Sequence, residues 1–127
     1  MAGQILHASK DEGEVYVIRC EDYVKIGWSK TVKRRFNQIS SCNPFPCELL
    51  GSTPGTVGDE GVLHLLLDTP RVKGEWFGRT LLVKEVVRHL LKAEHASETC
   101  EWLSEKMDKQ RAAVRAKHAQ LRGESDG

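Results

Sequence analysis

The chain has 127 residues, 39% of them hydrophobic and 29% charged, which fits one globular domain with a modest core and excludes two ordinary ones. It has no apolar run long enough to span a bilayer. The opening Met1 to His7 lacks the charged start and long apolar stretch of a secretory leader, so a cytoplasmic protein with no membrane partner is expected. A formal net charge of +1 excludes general basicity, so any affinity for nucleic acid must come from local clusters.

In chain order, residues 1–13 are polar and expected as a flexible N-terminus. Val15 to Arg19 and Tyr23 to Trp28 are rich in β-branched and aromatic residues and predict two strands. The short connection Cys20-Glu21-Asp22 predicts an antiparallel hairpin. Ser29 or Thr31 can cap a following helix. Its apolar stripe is Val32, Phe36 and Ile39, with Arg35 at the edge of the stripe and facing the hairpin. Asn43-Pro44-Phe45-Pro46 ends that helix. Cys47 to Ser52 predicts a third strand, Pro54-Gly55-Thr56 a turn, and residues 57–67 a second helix with Val62, Leu63, Leu65, Leu66 and Leu67 as a largely apolar body. Asp68-Thr69-Pro70 closes it. Arg71 to Phe77 reads as extended or irregular. Leu81 to Lys92 is an amphipathic third helix. Glu98 to Leu121 is a highly charged, partly exposed helix, and residues 123–127 are frayed. The expected architecture is α+β: a small three-stranded antiparallel sheet flanked by helices over residues 14–93, a basic C-terminal helix over 94–122, and a disordered tail.

Two basic clusters stand out. Lys30, Lys33, Arg34 and Arg35 follow the second strand, and Lys106, Lys109, Arg111, Arg115, Lys117 and Arg122 punctuate the last helix. That helix either follows a DNA backbone, stays solvated, or pairs with another copy or a partner through Trp102, Leu103 and Met107 within residues 98–121. Cys20, Cys42, Cys47 and Cys100 are irregularly spaced and read as reduced thiols rather than a zinc set. Trp28, Trp76 and Phe77 are assigned to the core.

Glu75 sits in Gly74-Glu75-Trp76-Phe77, an acid between aromatics. Such a group needs a cation or a metal, and its alternative partners are Arg71, Lys73 and Arg79. Tyr16 is a poor base unless a neighbouring cation favours its phenolate. Lys25, across the hairpin, is placed either to supply that cation or to touch phosphate. The plain alternative makes Tyr16 a core aromatic and Lys25 a solvated strand residue. Glu60 and His64 lie one helical turn apart, as a pair that orients the imidazole or as a structural hydrogen bond.

These residues carry a resemblance. With Glu14-Val15-Tyr16, Lys25-Ile26-Gly27, Arg35-Phe36-Asn37-Gln38-Ile39, the Asn43-Pro44 corner, Glu60 and His64, and Gly74-Glu75-Trp76-Phe77 in this order, residues 14–93 resemble the GIY-YIG nuclease superfamily. They are closest to its phage-associated branch with KIG and GEWF motifs. The second-motif tyrosine is replaced by Lys25 and the first glycine by Glu14. The resemblance implies a metal-dependent DNA endonuclease. It places Tyr16 near the attacking water, Arg35 on the phosphate and one Mg2+ or Mn2+ on Glu75, with His64 assisting, and the hairpin position of Lys25 adds it to the catalytic set. Lys25, Lys30, Lys33, Arg34 and Arg35 are then the nucleic-acid-binding residues. The alternatives are a module of the same fold that grips nucleic acid without cutting it, and a regulatory protein acting through its C-terminal helix.

Overall fold

In the computed structural model, which describes residues 12–68 and 71–123, Val15, Tyr16, Val17 and Ile18 are all buried. Strand β1 (Gly13–Cys20) is therefore covered on both faces, which is why it reads as a continuous apolar run rather than an alternating one. It pairs antiparallel with β2 (Tyr23–Ser29), with Tyr16 opposite Gly27 and Cys20 opposite Tyr23. Glu21, in the connecting turn, has a left-handed φ of 57°, uncommon for a residue with a β-carbon. On its other side β1 pairs with β3 (Cys47–Gly55), which brings Cys20 opposite Cys47. All four cysteines are free thiols.

The sheet has five strands, not three. Arg71 to Phe77, read as irregular from sequence, folds into β4 (Arg71–Lys73) and β5 (Trp76–Gly78). Lys73 pairs with Trp76 across the two residues Gly74 and Glu75, and Gly74 supplies the φ of 56° that such a tight turn demands. The strand order is β3-β1-β2-β5-β4.

Four helices cover the sheet among the described residues. Helix α1 (Val32–Ser41) lies on one face, where Tyr16, Ile18 and Val32 pack with Phe36, Ile39 and Trp76. Ser29 assists its start by accepting from Thr31 N–H at 3.0 Å, while the Thr31 side chain caps nothing. The other face carries α2 (Val57–Leu66), α3 (Leu81–Lys92) and α4 (Ala96–Leu121). Their Leu63, Val83, Val86, Leu90 and Leu103 pack on Val15, Val17, Val24, Ile26 and Phe77. A reciprocal capping box between Thr56 and Asp59 fixes the start of α2. This helix buries Leu63 and His64 and leaves Val62 and Leu65 exposed, so its apolar body is only half used.

The first turns of α4 belong to the core, with Ala96, Thr99, Cys100 and Leu103 buried. Trp102 stacks on His89 at 4.5 Å, and Met107 packs against the same core. The apolar residues expected to offer a partner surface, Trp102, Leu103 and Met107, are thus used within the domain. What projects is the stretch after Met107, which is almost wholly exposed. Expectations for residues 1–11, Thr69, Pro70 and 124–127 lie outside the described residues.

Candidate active site

The ladder between β2 and β5 ends at the pair Lys25 and Trp76. One step on, Ile26 N–H still donates to the Glu75 carbonyl at 3.3 Å, and then the β5 chain has turned away at Gly74. The edge of β2 at Ile26–Trp28 is left without a neighbouring strand. Side chains of α2 take its place. The ring of His64 meets the Ile26 carbonyl oxygen through Nε2 at 2.6 Å, and the Glu60 carboxylate lies near enough to the Trp28 backbone N–H to be stabilised by it. The two groups on the strand point the same way and lie two residues apart. A helix pair spaced by one turn matches them.

This arrangement fixes chemistry as well as structure. A carbonyl only accepts, so His64 Nε2 carries the hydrogen and the lone pair of the neutral ring is on Nδ1. Backbone support of that kind is what orients a metal-ligating imidazole. Glu75, at the tip of the β4–β5 turn, joins the pair: Glu60, His64 and Glu75 each offer a ligand atom, all within 4.8 Å of one another. Burial first, and then the Glu75 charge, raise the Glu60 pKa above the usual carboxylate value, against the pull of His64, Lys25 and the Trp28 amide. Two carboxylates and an imidazole this close together could hold a divalent cation.

Tyr16 lies on the α1 face of the sheet, its ring crossing over Gly27. A β-carbon at position 27 would fall on the phenol oxygen, which is why no larger residue fits there. Among the described residues, the Tyr16 hydroxyl is the one buried side-chain polar atom with no hydrogen-bond partner. Its pKa is raised, chiefly by burial and further by the Glu75 and Glu60 charges, while Arg35 opposes the shift. The Arg35 guanidinium is near enough to favour phenolate but meets the oxygen at no good hydrogen-bond geometry, so burial prevails. Tyr16, Arg35, Glu60 and Glu75 thus act on one another across a single patch, with the Arg35 side chain exposed above it.

The Lys25 ammonium pairs with Glu75 Oε1 at 2.7 Å and lies 5.7 Å from the centre of the Trp76 ring. The pair is open rather than sealed, with the Lys25 and Glu75 side chains 16% and 41% exposed. Lys30, Lys33 and Arg34 are exposed around the start of α1. Of the three aromatics assigned to the core, Phe77 is fully buried, whereas Trp28 and Trp76 are only partly covered. Sequence reasoning recognised the spacing of Glu60 and His64 but did not place Glu60 beside Glu75. The readable signal was the Gly74-Glu75 turn, which aims the second carboxylate back at α2.

The family model of the T5orf172 domain matches residues 5–122. No curated protein matches the chain, and no solved structure does.

Proposed function

The chain belongs to the T5orf172 domain family, a phage-associated, nuclease-like family, and we propose that it is a metal-dependent DNA endonuclease of GIY-YIG type. The observation that carries this reading is the convergence of Glu60, His64 and Glu75 beside a buried, unpartnered phenol and an exposed guanidinium. Structural ion pairs alone give no reason to leave a buried hydroxyl unsatisfied, at a cost of about 1–3 kcal/mol.

The donor set suits a divalent ion. Two carboxylates satisfy Mg2+, and the imidazole makes Mn2+ at least as good an occupant. Such an ion would lower the pKa of its water and neutralise charge on the phosphate and leaving oxygens. The residues of the chain do the rest. Tyr16, kept protonated by its raised pKa, holds a buried, unpartnered O–H that reaches the attacking water or a phosphate oxygen once substrate binding uncovers it. Arg35 offers a planar fork to two phosphate oxygens. The raised pKa of Glu60, due to burial and the Glu75 charge, reflects a strain that a divalent ion between the two carboxylates would relieve. His64 keeps one tautomer through its bond to the Ile26 carbonyl. Lys30, Lys33 and Arg34 track the strand on either side.

The test is nicking of supercoiled plasmid with Mg2+, with Mn2+ and with chelator. The expected result is nicking with either ion, none with chelator, and none for Glu75→Ala. Arg35→Ala should lose about 10²–10³-fold in rate with its fold intact. Salt-dependent DNA binding with no nicking under either ion would select the non-cleaving module instead.

A further inference from the structure

At the β1–β2 turn, beside but outside the site just described, lies an open cleft of about 460 Å³. Its walls are the rings of Tyr23, Phe45 and Trp76. Tyr23 opens strand β2 and Phe45 lies in the loop after α1, yet both leave large apolar area in water, at 46% and 54% exposure. Neither ring is needed for the core. The floor is polar. The Asn43 oxygen is engaged by Phe45 N–H at 3.1 Å and by the Cys20 thiol at 3.5 Å, which leaves its amide N–H to donate. The Glu21 and Asp22 carboxylates stand at the rim as acceptors.

We propose that this cleft seats one unstacked nucleobase of the strand whose phosphate lies at Glu75 and Arg35. The proposal rests on the DNA reading of that site and adds a substrate class to it: strands with an unpaired or extrahelical base. Continuity supports this occupant. Trp76 lines the cleft and follows Glu75 directly, and Lys25, its cross-strand neighbour, places its ammonium on the Trp76 side of the site. A chain whose phosphate is drawn to Lys25 and Arg35 therefore passes Trp76, where its base can leave the stack. Aromatic faces accept any base. Amide and carboxylate groups at one end match the mixed donors and acceptors of a base edge. The acidic rim repels phosphate, so the cleft takes the base and not the backbone.

The experiment uses the full chain in chelator, so that no strand is cut. Binding is measured for a short single strand carrying one 2-aminopurine, for the same strand with an abasic residue there, and for a perfect duplex. Wild type should bind the base-bearing strand about tenfold more tightly than the abasic one, with quenching of the 2-aminopurine on stacking. Phe45→Ala and Tyr23→Ala, both at half-exposed positions that leave the core intact, should abolish that difference and the quenching and leave duplex binding unchanged. If both variants keep the wild-type preference, the cleft does not hold a base, although the nuclease reading survives. If wild type binds none of the three probes, both readings fall. If tetramethylammonium saturates the cleft and 2-aminopurine is never quenched, the aromatic walls form a cage for organic cations and the proposal is overturned.

Discussion

At the residue scale, two groups hold positions that favour chemistry over stability. Tyr16 buries a hydroxyl that meets no partner. Tyr16→Phe should therefore raise stability by about 1 kcal/mol and abolish cleavage, read by thermal unfolding and by plasmid nicking. Equal or lower stability would mean that the hydroxyl is satisfied in solution. Glu60 shows the same conflict through its charge. Its pKa is raised in the folded state, so the fold holds the proton more tightly than the unfolded chain does. That contribution is complete below the unfolded pKa and is lost as pH rises through the folded one. In chelator, wild type should thus lose stability over this window, while Glu60→Gln should not and should be the more stable protein at neutral pH. Tyr16, Arg35 and Glu75 were singled out from the sequence, and the fold brings them onto one patch. The bond from Lys25 to Glu75 was not legible there, because it joins positions 50 residues apart and no local pattern encodes it.

At the scale of elements, β1, β2, α1 and α3 were readable because each has a periodic or β-branched stretch, whereas β3 was cut short: it runs on through Pro54 and Gly55, which read as a turn. The β4–β5 hairpin was not readable. Strands of three residues are too short for a period of two to register, and the only trace was a glycine at the first position of a tight turn. The pairing of β1 with β2 carries its own constraint, since Tyr16 and Gly27 share one volume. Gly27→Ala should cost about 1–3 kcal/mol as an overpacked contact and reduce cleavage further by displacing the phenol. A melting temperature and rate equal to wild type would show that the ring can step aside. Helix α2 was read as an apolar body, but its more consequential face is the polar one, where Glu60 and His64 complete the exposed edge of β2.

For the whole molecule, charge is segregated in a way the net value conceals. Residues 109–122 contain Lys109, Arg111, Arg115, Lys117 and Arg122 and no acid, and they project from the core as the exposed end of α4. Fourteen helical residues span about 20 Å, enough to follow several phosphates. Replacing Lys109, Arg115 and Lys117 with Gln should weaken duplex binding and lower the slope of log affinity against log salt by about one for each residue that touches phosphate. An unchanged slope would free this arm from any DNA role. The sequence displayed that charge run openly, but only the packing of Trp102 and Leu103 shows where the domain stops and the arm begins. The edge of β2 has a last consequence. His64 is both a fastener of the sheet and, with Glu60 and Glu75, a candidate ligand, so site occupancy and global unfolding are thermodynamically linked. An ion at a hundred times its dissociation constant should raise the unfolding free energy by about 2.7 kcal/mol. A simple melting series across divalent salts would then rank the preferred ion before any substrate is known.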